Sequence, residues 1–255
     1  MIECGSLEYA HGRLQARHGQ RAGEPVWRRI EVVRDFAPLL ELARATALRP
    51  WLDGITADST DAQIESTLRG HWRTRVAEVV GWMPQAWQSP VAWCATLPDL
   101  GPLQHLARGG EPAPWMEDDN AWRALCAAQP AERAALLVAG PLGALAAAWD
   151  VPRTMGDAWL AEWKRRLPRA IGDADEVMPL VVRTLADHYR AFASAAAEQG
   201  WLLRAALSAR LSLLLRRAAA EPAAVFIHLA LCALDLERLR AELLRRVLFA
   251  HRKVT

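Results

Sequence analysis

Apolar residues recur along this chain at spacings of three and four, the period of a helix face, and no window alternates in the way a half-buried strand requires. The pattern predicts a first short helix over Leu7–His18, ending near Gly19. Glu24-Pro25 opens a second, because proline at the first helical position loses no needed donor. Trp27, Ile30, Val33, Ala37 and Leu40 make its apolar face, with Pro38 expected to bend it. Thr60-x-x-Gln63 reads as a capping box, and Ile64, Leu68, Trp72, Val76 and Val79 follow on one stripe, with Gly81 as the stop. Glu65 and Arg69, four apart, are expected to pair on the outer face.

From Trp82 to Trp115, six prolines and three glycines cut the chain into short helices and turns. A boundary near Gly109–Pro114 would separate an N-terminal lobe, 1–110, from a C-terminal lobe, 111–255, although one domain of this length is equally natural. Helices are expected over about 119–128, 131–149, 155–167, 175–199, 201–220 and 223–252. The segment after Trp201 is apolar nearly all round, with Arg204, Ser208, Ser212 and Arg216 as one narrow polar stripe. Such a helix is expected in the middle of a bundle. The last helix should turn Phe226, Leu229, Leu236, Leu239, Leu243 and Val247 inward and pair Arg238–Glu242 and Glu242–Arg246 outside. The fold class is therefore all-α, a multi-helix bundle of one or two lobes.

Composition agrees with a packed body: 52% of residues are hydrophobic and 24% charged, enough apolar side chain for a large core. The net charge of +2 argues against wrapping nucleic acid. It is unevenly spread, because from Trp201 onward ten Arg or Lys stand against four acids. Cys4, Cys94, Cys126 and Cys232 form no C-x-x-C and read as free thiols in a reducing compartment. No apolar stretch approaches the roughly 20 residues of a membrane span.

Chemistry is sparse, with no nucleotide-binding, nucleophile-elbow or zinc-protease motif. Glu8-x-x-His11 has di-iron spacing, but that chemistry needs a second copy. His228, Cys232 and Asp235 share one helical face and could offer N, S and O ligands; the other reading is core packing. Glu117-Asp118-Asp119 fits a helix cap better than a cation site. Nothing here implies a metal or cofactor. Two features point to partners instead. Arg238, Arg240, Arg245, Arg246, Arg252 and Lys253 give the last helix a basic tip, suited to an acidic protein face or anionic headgroups. The twelve tryptophans, with Trp82, Trp87 and Trp93 clustered, are either a binding surface or packing between short helices.

Leu7-Glu8-Tyr9-Ala10-His11-Gly12-Arg13-Leu14 resembles the opening Tyr-Ala-x-x-Arg-Val helix of the C/d subunits of V-type and A-type ATPases. Leu39–Leu42 with Thr46 and Trp51, Ile64-Glu65-x-x-Leu68, and Leu236-Glu237-Arg238-Leu239-Arg240 are similar to later patterns of that family. A usual member is longer, with three similar helical lobes. The resemblance implies a non-catalytic helical collar on the cytoplasmic face of the membrane, receiving the central stalk and seated on the rotor ring. Its partner-binding residues would be Tyr9, Arg13 and Arg17 on the first helix and Arg238, Arg240, Arg245 and Arg246 on the last. The other class kept open is a stand-alone helical binding protein that uses a tryptophan-rich surface.

Overall fold

In a computed structural model, residues 6–168, 176–218 and 221–251 are described; they are helical and turn structure, and none of them lies in a strand. Ser6 caps α1 (Leu7–His18), its hydroxyl accepting from the Tyr9 amide at 3.1 Å. α2 (Glu24–Val32) carries Pro25 in its first turn. The single bent helix expected through Pro38 is instead two: the chain is extended at Val33 and Asp35, and α3 (Phe36–Arg44) restarts beyond them. Pro38 thus falls in the first turn of α3, where an amide donor has no helical partner to lose.

α4 (Asp61–Trp82) begins with both halves of the capping box formed, Gln63 N donating to Thr60 Oγ1 and Thr60 N to Gln63 Oε1. It runs through Gly81 and ends only where Met83 turns extended ahead of Pro84, a conformation that a following proline favours. α5 (Gln85–Trp93), a 3-10 stretch over Cys94–Asp99 and α6 (Leu100–Ala107) follow. Gly109, at φ +81°, makes the turn after α6, a conformation that suits glycine. Then come α7 (Pro114–Asp118), α8 (Arg123–Ala127) and α9 (Arg133–Ala139). The helix expected over 131–149 is broken by Gly140-Pro141 and resumes as a 3-10 turn at Gly143–Ala148. α10 (Met155–Arg166), α11 (Met178–Ser194), α12 (Gly200–Arg217) and α13 (Ala223–His251) complete the chain.

α13 is the central strut, packing against α1, α3, α4, α11 and α12. Phe226, Leu229, Leu236, Leu239, Leu243 and Val247 are buried along it, as the periodicity predicts. Buried residues from Ala10 to Val247 form one continuous core, so the apolar interior does not divide at Gly109–Pro114.

The tryptophans are mainly core. Trp93, Trp159 and Trp163 stack at 6.4 and 6.2 Å between ring centres, and Trp163 meets Phe226 edge-on at 5.0 Å. Trp93 Nε1 donates to Trp159 O, Trp159 Nε1 to Thr96 Oγ1 and Trp72 Nε1 to Cys94 O, while the buried Trp163 Nε1 has no partner among the described residues. Trp82 and Trp93 are buried and Trp87 half-buried, so no tryptophan-rich surface exists at that cluster.

Glu65 and Arg69 do pair, but inside the protein. The segment after α4 covers them. Arg69 also reaches Asp99 at 2.8 Å and Pro98 O at 3.0 Å, and lies over the Trp115 ring. Helical spacing identified the pair correctly. It could not reveal that a second carboxylate, thirty residues later, would make burial tolerable.

Candidate functional site

The basic side chains expected to meet a partner are all engaged with groups of the protein itself, Arg238 and Arg246 facing inward and the others partly exposed. On α1, Tyr9 is half-buried against the core; Arg13 lies over the Trp82 ring and 4.0 Å from Glu78, and Arg17 bonds Glu78. These arginines stitch α1 to α4. On α13, Arg238 is held between the rings of Trp27 and Trp201, at 4.8 and 5.0 Å, and binds Glu24 and Glu31 on α2. Arg240 bonds Glu65. Arg246 is buried: it donates to the carbonyls of Ile30 and Val33, which end α2, and pairs with Glu242. Only Arg245 of the four is exposed, paired with Glu242 at 2.9 Å. Arg238, Arg240 and Arg246 are therefore clamps between α13 and its neighbours, and Arg245 alone of the four faces outward. Cations need anions or carbonyls once a helix is covered, and α2 and α4 supply them. Arg238 pairs across to α2 rather than with Glu242. Arg252, Lys253 and Cys4 lie outside the described residues.

His228, Cys232 and Asp235 share a face of α13, and Asp235 is drawn away from the other two. Cys232 Sγ lies 3.6 Å from His228 Nε2. Burial, reinforced by His18 and nearby arginines, pushes His228 down to about 3. Burial pushes Cys232 up to about 12. Both stay neutral across physiological pH, the state of core residues rather than of a thiolate and its base. Asp235 is turned to Arg21, whose Nε donates to it at 2.7 Å. Among the described residues, no three His, Cys, Asp or Glu are placed to hold a metal ion. The acidic run before Trp122 does not cap α8, which has no side-chain cap; Asp119 accepts from the Ala121 amide at 2.9 Å in the turn ahead of it and binds Arg73 at 2.7 Å.

A cavity of about 370 Å³ opens beside this face, between the end of α1, the turn at 46–51, α4 and α13. Arg17, Arg21, Arg49 and Arg75 stand around it, and His228 and Cys232 lie in its wall. Sequence reasoning singled out Arg17, His228, Cys232 and Asp235 for other reasons. It missed Arg21, Arg49 and Arg75, which come together from three elements.

The second feature is α12. It packs on α11 and α13 through Leu207, Leu211, Leu214 and Leu215, and so lies at the margin of the bundle, not at its centre. The opposite side is open: Leu202 is 69% exposed and Leu213 57%, with exposed Ala205, Ala206 and Ala209 between them. Arg210, Arg216 and Arg217 edge this stripe, exposed and with no ion-pair partner among the described residues. No acid occurs from Gly200 to Arg217. That absence was legible in the sequence and was the signal for this face. No helix among the described residues is long and apolar enough to cross a membrane. Compared with protein families, curated proteins and solved structures, the chain matches none.

Proposed function

We propose that this chain is a non-catalytic helical scaffold that receives an amphipathic helix of a protein partner on the open face of α12. The observation that carries the reading is the apolar stripe Leu202–Ala206–Ala209–Leu213, edged by arginines that lack counter-ions. Contiguous exposed apolar surface with a polar rim marks an interaction site. Alanines between two leucines make a shallow groove in which another helix can approach closely, whereas a lipid surface is better served by bulky side chains. The rim asks for acidic residues flanking the partner's apolar face.

The N-terminal resemblance supplies a specific assembly for such a scaffold, the V/A-type rotary ATPase, of which this chain would be a shortened coupling subunit on the cytoplasmic face of the membrane. In that setting the partner helix belongs to a rotor-ring or central-stalk subunit. The contact moves from the arginines of α1 and α13, which are engaged internally, to α12.

Affinity capture of the tagged full chain from detergent-solubilised membranes of its host, read by mass spectrometry, tests this reading. Recovery of rotor-ring and stalk subunits is expected. Recovery of neither rejects the ATPase assignment. Sedimentation of the purified chain with phosphatidylserine vesicles, lost on Leu213→Arg, would assign α12 to lipid and reject the partner-helix reading.

A further inference from the structure

The cavity beside α13 has a charge imbalance that packing does not explain. Four guanidinium groups surround it, those of Arg17, Arg21, Arg49 and Arg75. Two carboxylates answer them. Glu78 bonds Arg17 and reaches Arg75 only at 3.7 Å, and Asp235 holds Arg21. Arg49 is exposed and has no ion-pair partner among the described residues. Two positive charges are left over. The buried histidine and thiol in the wall are neutral for the reasons given above, so they supply no counter-charge. They also keep that side of the cavity weakly polar, which strengthens electrostatic attraction within it.

Apart from Gln20 and Thr46, the remaining wall is apolar. Leu48, Pro50 and Trp51 line it, and the Arg75 guanidinium lies 5.5 Å from the centre of the Trp51 ring. A cation beside an aromatic face, next to a wall of leucine and proline, suits a ligand with an anionic head and a compact apolar body. The volume falls within the range of about 300–1,000 Å³ usual for small-molecule sites.

We infer that this cavity binds a small organic phosphate monoester, its phosphate at the arginine rim and its body against Trp51. The charge selects the class. A phosphate monoester carries about two negative charges at neutral pH and answers both uncompensated arginines, whereas a carboxylate would leave one unanswered. Guanidinium forks bond phosphate oxygens in pairs, which adds direction to the attraction. This inference is independent of the α12 reading, since the cavity and the α12 stripe share no residue.

Isothermal titration of the full chain with phenyl phosphate tests it. Saturable binding at one site is expected, with benzoate and inorganic phosphate each at least about tenfold weaker. Arg49 and Ala47 are both exposed at the mouth, so changing them should leave the fold intact. Arg49→Ala is expected to weaken phenyl phosphate about tenfold, and Ala47→Trp to block it. Arg210→Ala, on α12, should leave the titration unchanged. A soluble ligand and a lipid headgroup share this chemistry. Vesicles containing phosphatidic acid that bind through Arg49, while phenyl phosphate does not, would place the monoester on a lipid. No binding of either probe, equal affinity for benzoate, or binding indifferent to both Arg49→Ala and Ala47→Trp would overturn the inference.

Discussion

α12 and α13 are built from the same vocabulary of leucine, alanine and arginine, and the protein uses them in opposite ways. α13 carries Asp235, Glu237 and Glu242 among its arginines and is surrounded by elements that offer more carboxylates and carbonyls. Its arginines are clamps and its leucines are core. α12 has no acid of its own, meets neighbours along one narrow leucine stripe, and leaves the rest of its apolar surface in water. Composition and periodicity make a helix. The partners available around it decide whether it becomes a strut or a face.

The comparison breaks most visibly on its leucines. Leu243→Ala on α13 should cost about 3 kcal/mol and Trp72→Ala, on the α4 helix it packs against, about 4, by urea denaturation, because both side chains are fully enclosed. Leu213→Ala on α12 should stay within about 0.5 kcal/mol. Equal losses at Leu243 and Leu213 would erase the distinction.

The arginines give the next contrast. Arg246→Ala strands the carbonyls of Ile30 and Val33 in a covered setting and should cost about 3 kcal/mol, whereas Arg210→Ala should be neutral within about 0.5. A chemical-denaturation pair measures this directly.

Acid should weaken α13 as well. His228, on that helix, is held down to about 3 by burial, against the 6.5 of a free imidazole. The unfolded chain then binds a proton that the folded chain refuses, so stability is full above pH 6.5 and declines as the pH falls towards 3. From pH 6.5 to 5 this one group should remove about 2 kcal/mol. The decline should be shallower by that amount in His228→Leu, compared with wild type by denaturation at each pH. Parallel curves would show that His228 is protonated in the folded protein.

The smallest effect concerns helix starts. Thr60→Ala should cost about 1 kcal/mol by removing the side-chain cap of α4, whereas Gln199→Ala ahead of α12 should change little, since its side chain caps nothing.

Much of this architecture was legible in residue order. The capping box at Thr60, the start at Pro25 and the inward stripe of α13 all follow from local chemistry, and local chemistry is what a sequence displays. Four features were not. Sequence alone makes Pro38 look like a bend inside one helix, because its distance from a helix start depends on where the previous helix stops. The arginines of α13 look like a basic tip in the sequence because their partners Glu24, Glu31 and Glu65 lie more than 170 positions away in the chain. The sequence of α12 suits the centre of a bundle, because a narrow polar stripe looks the same whether the opposite side meets protein or water. The cavity was hidden for the same reason as the clamps: Arg21, Arg49 and Arg75 become neighbours only when three elements meet.

The most direct test of the contrast is a single variant read twice, Leu213→Arg. On one preparation, a thermal melt by circular dichroism reports whether the residue is core, and capture from solubilised membranes reports whether it is a contact. The expected result is an unchanged melt together with loss of the rotor-ring and stalk subunits that the proposed function has the wild type recover. A collapsed melt would place Leu213 in the core and contradict the open face, and an unchanged capture would show that partners dock elsewhere.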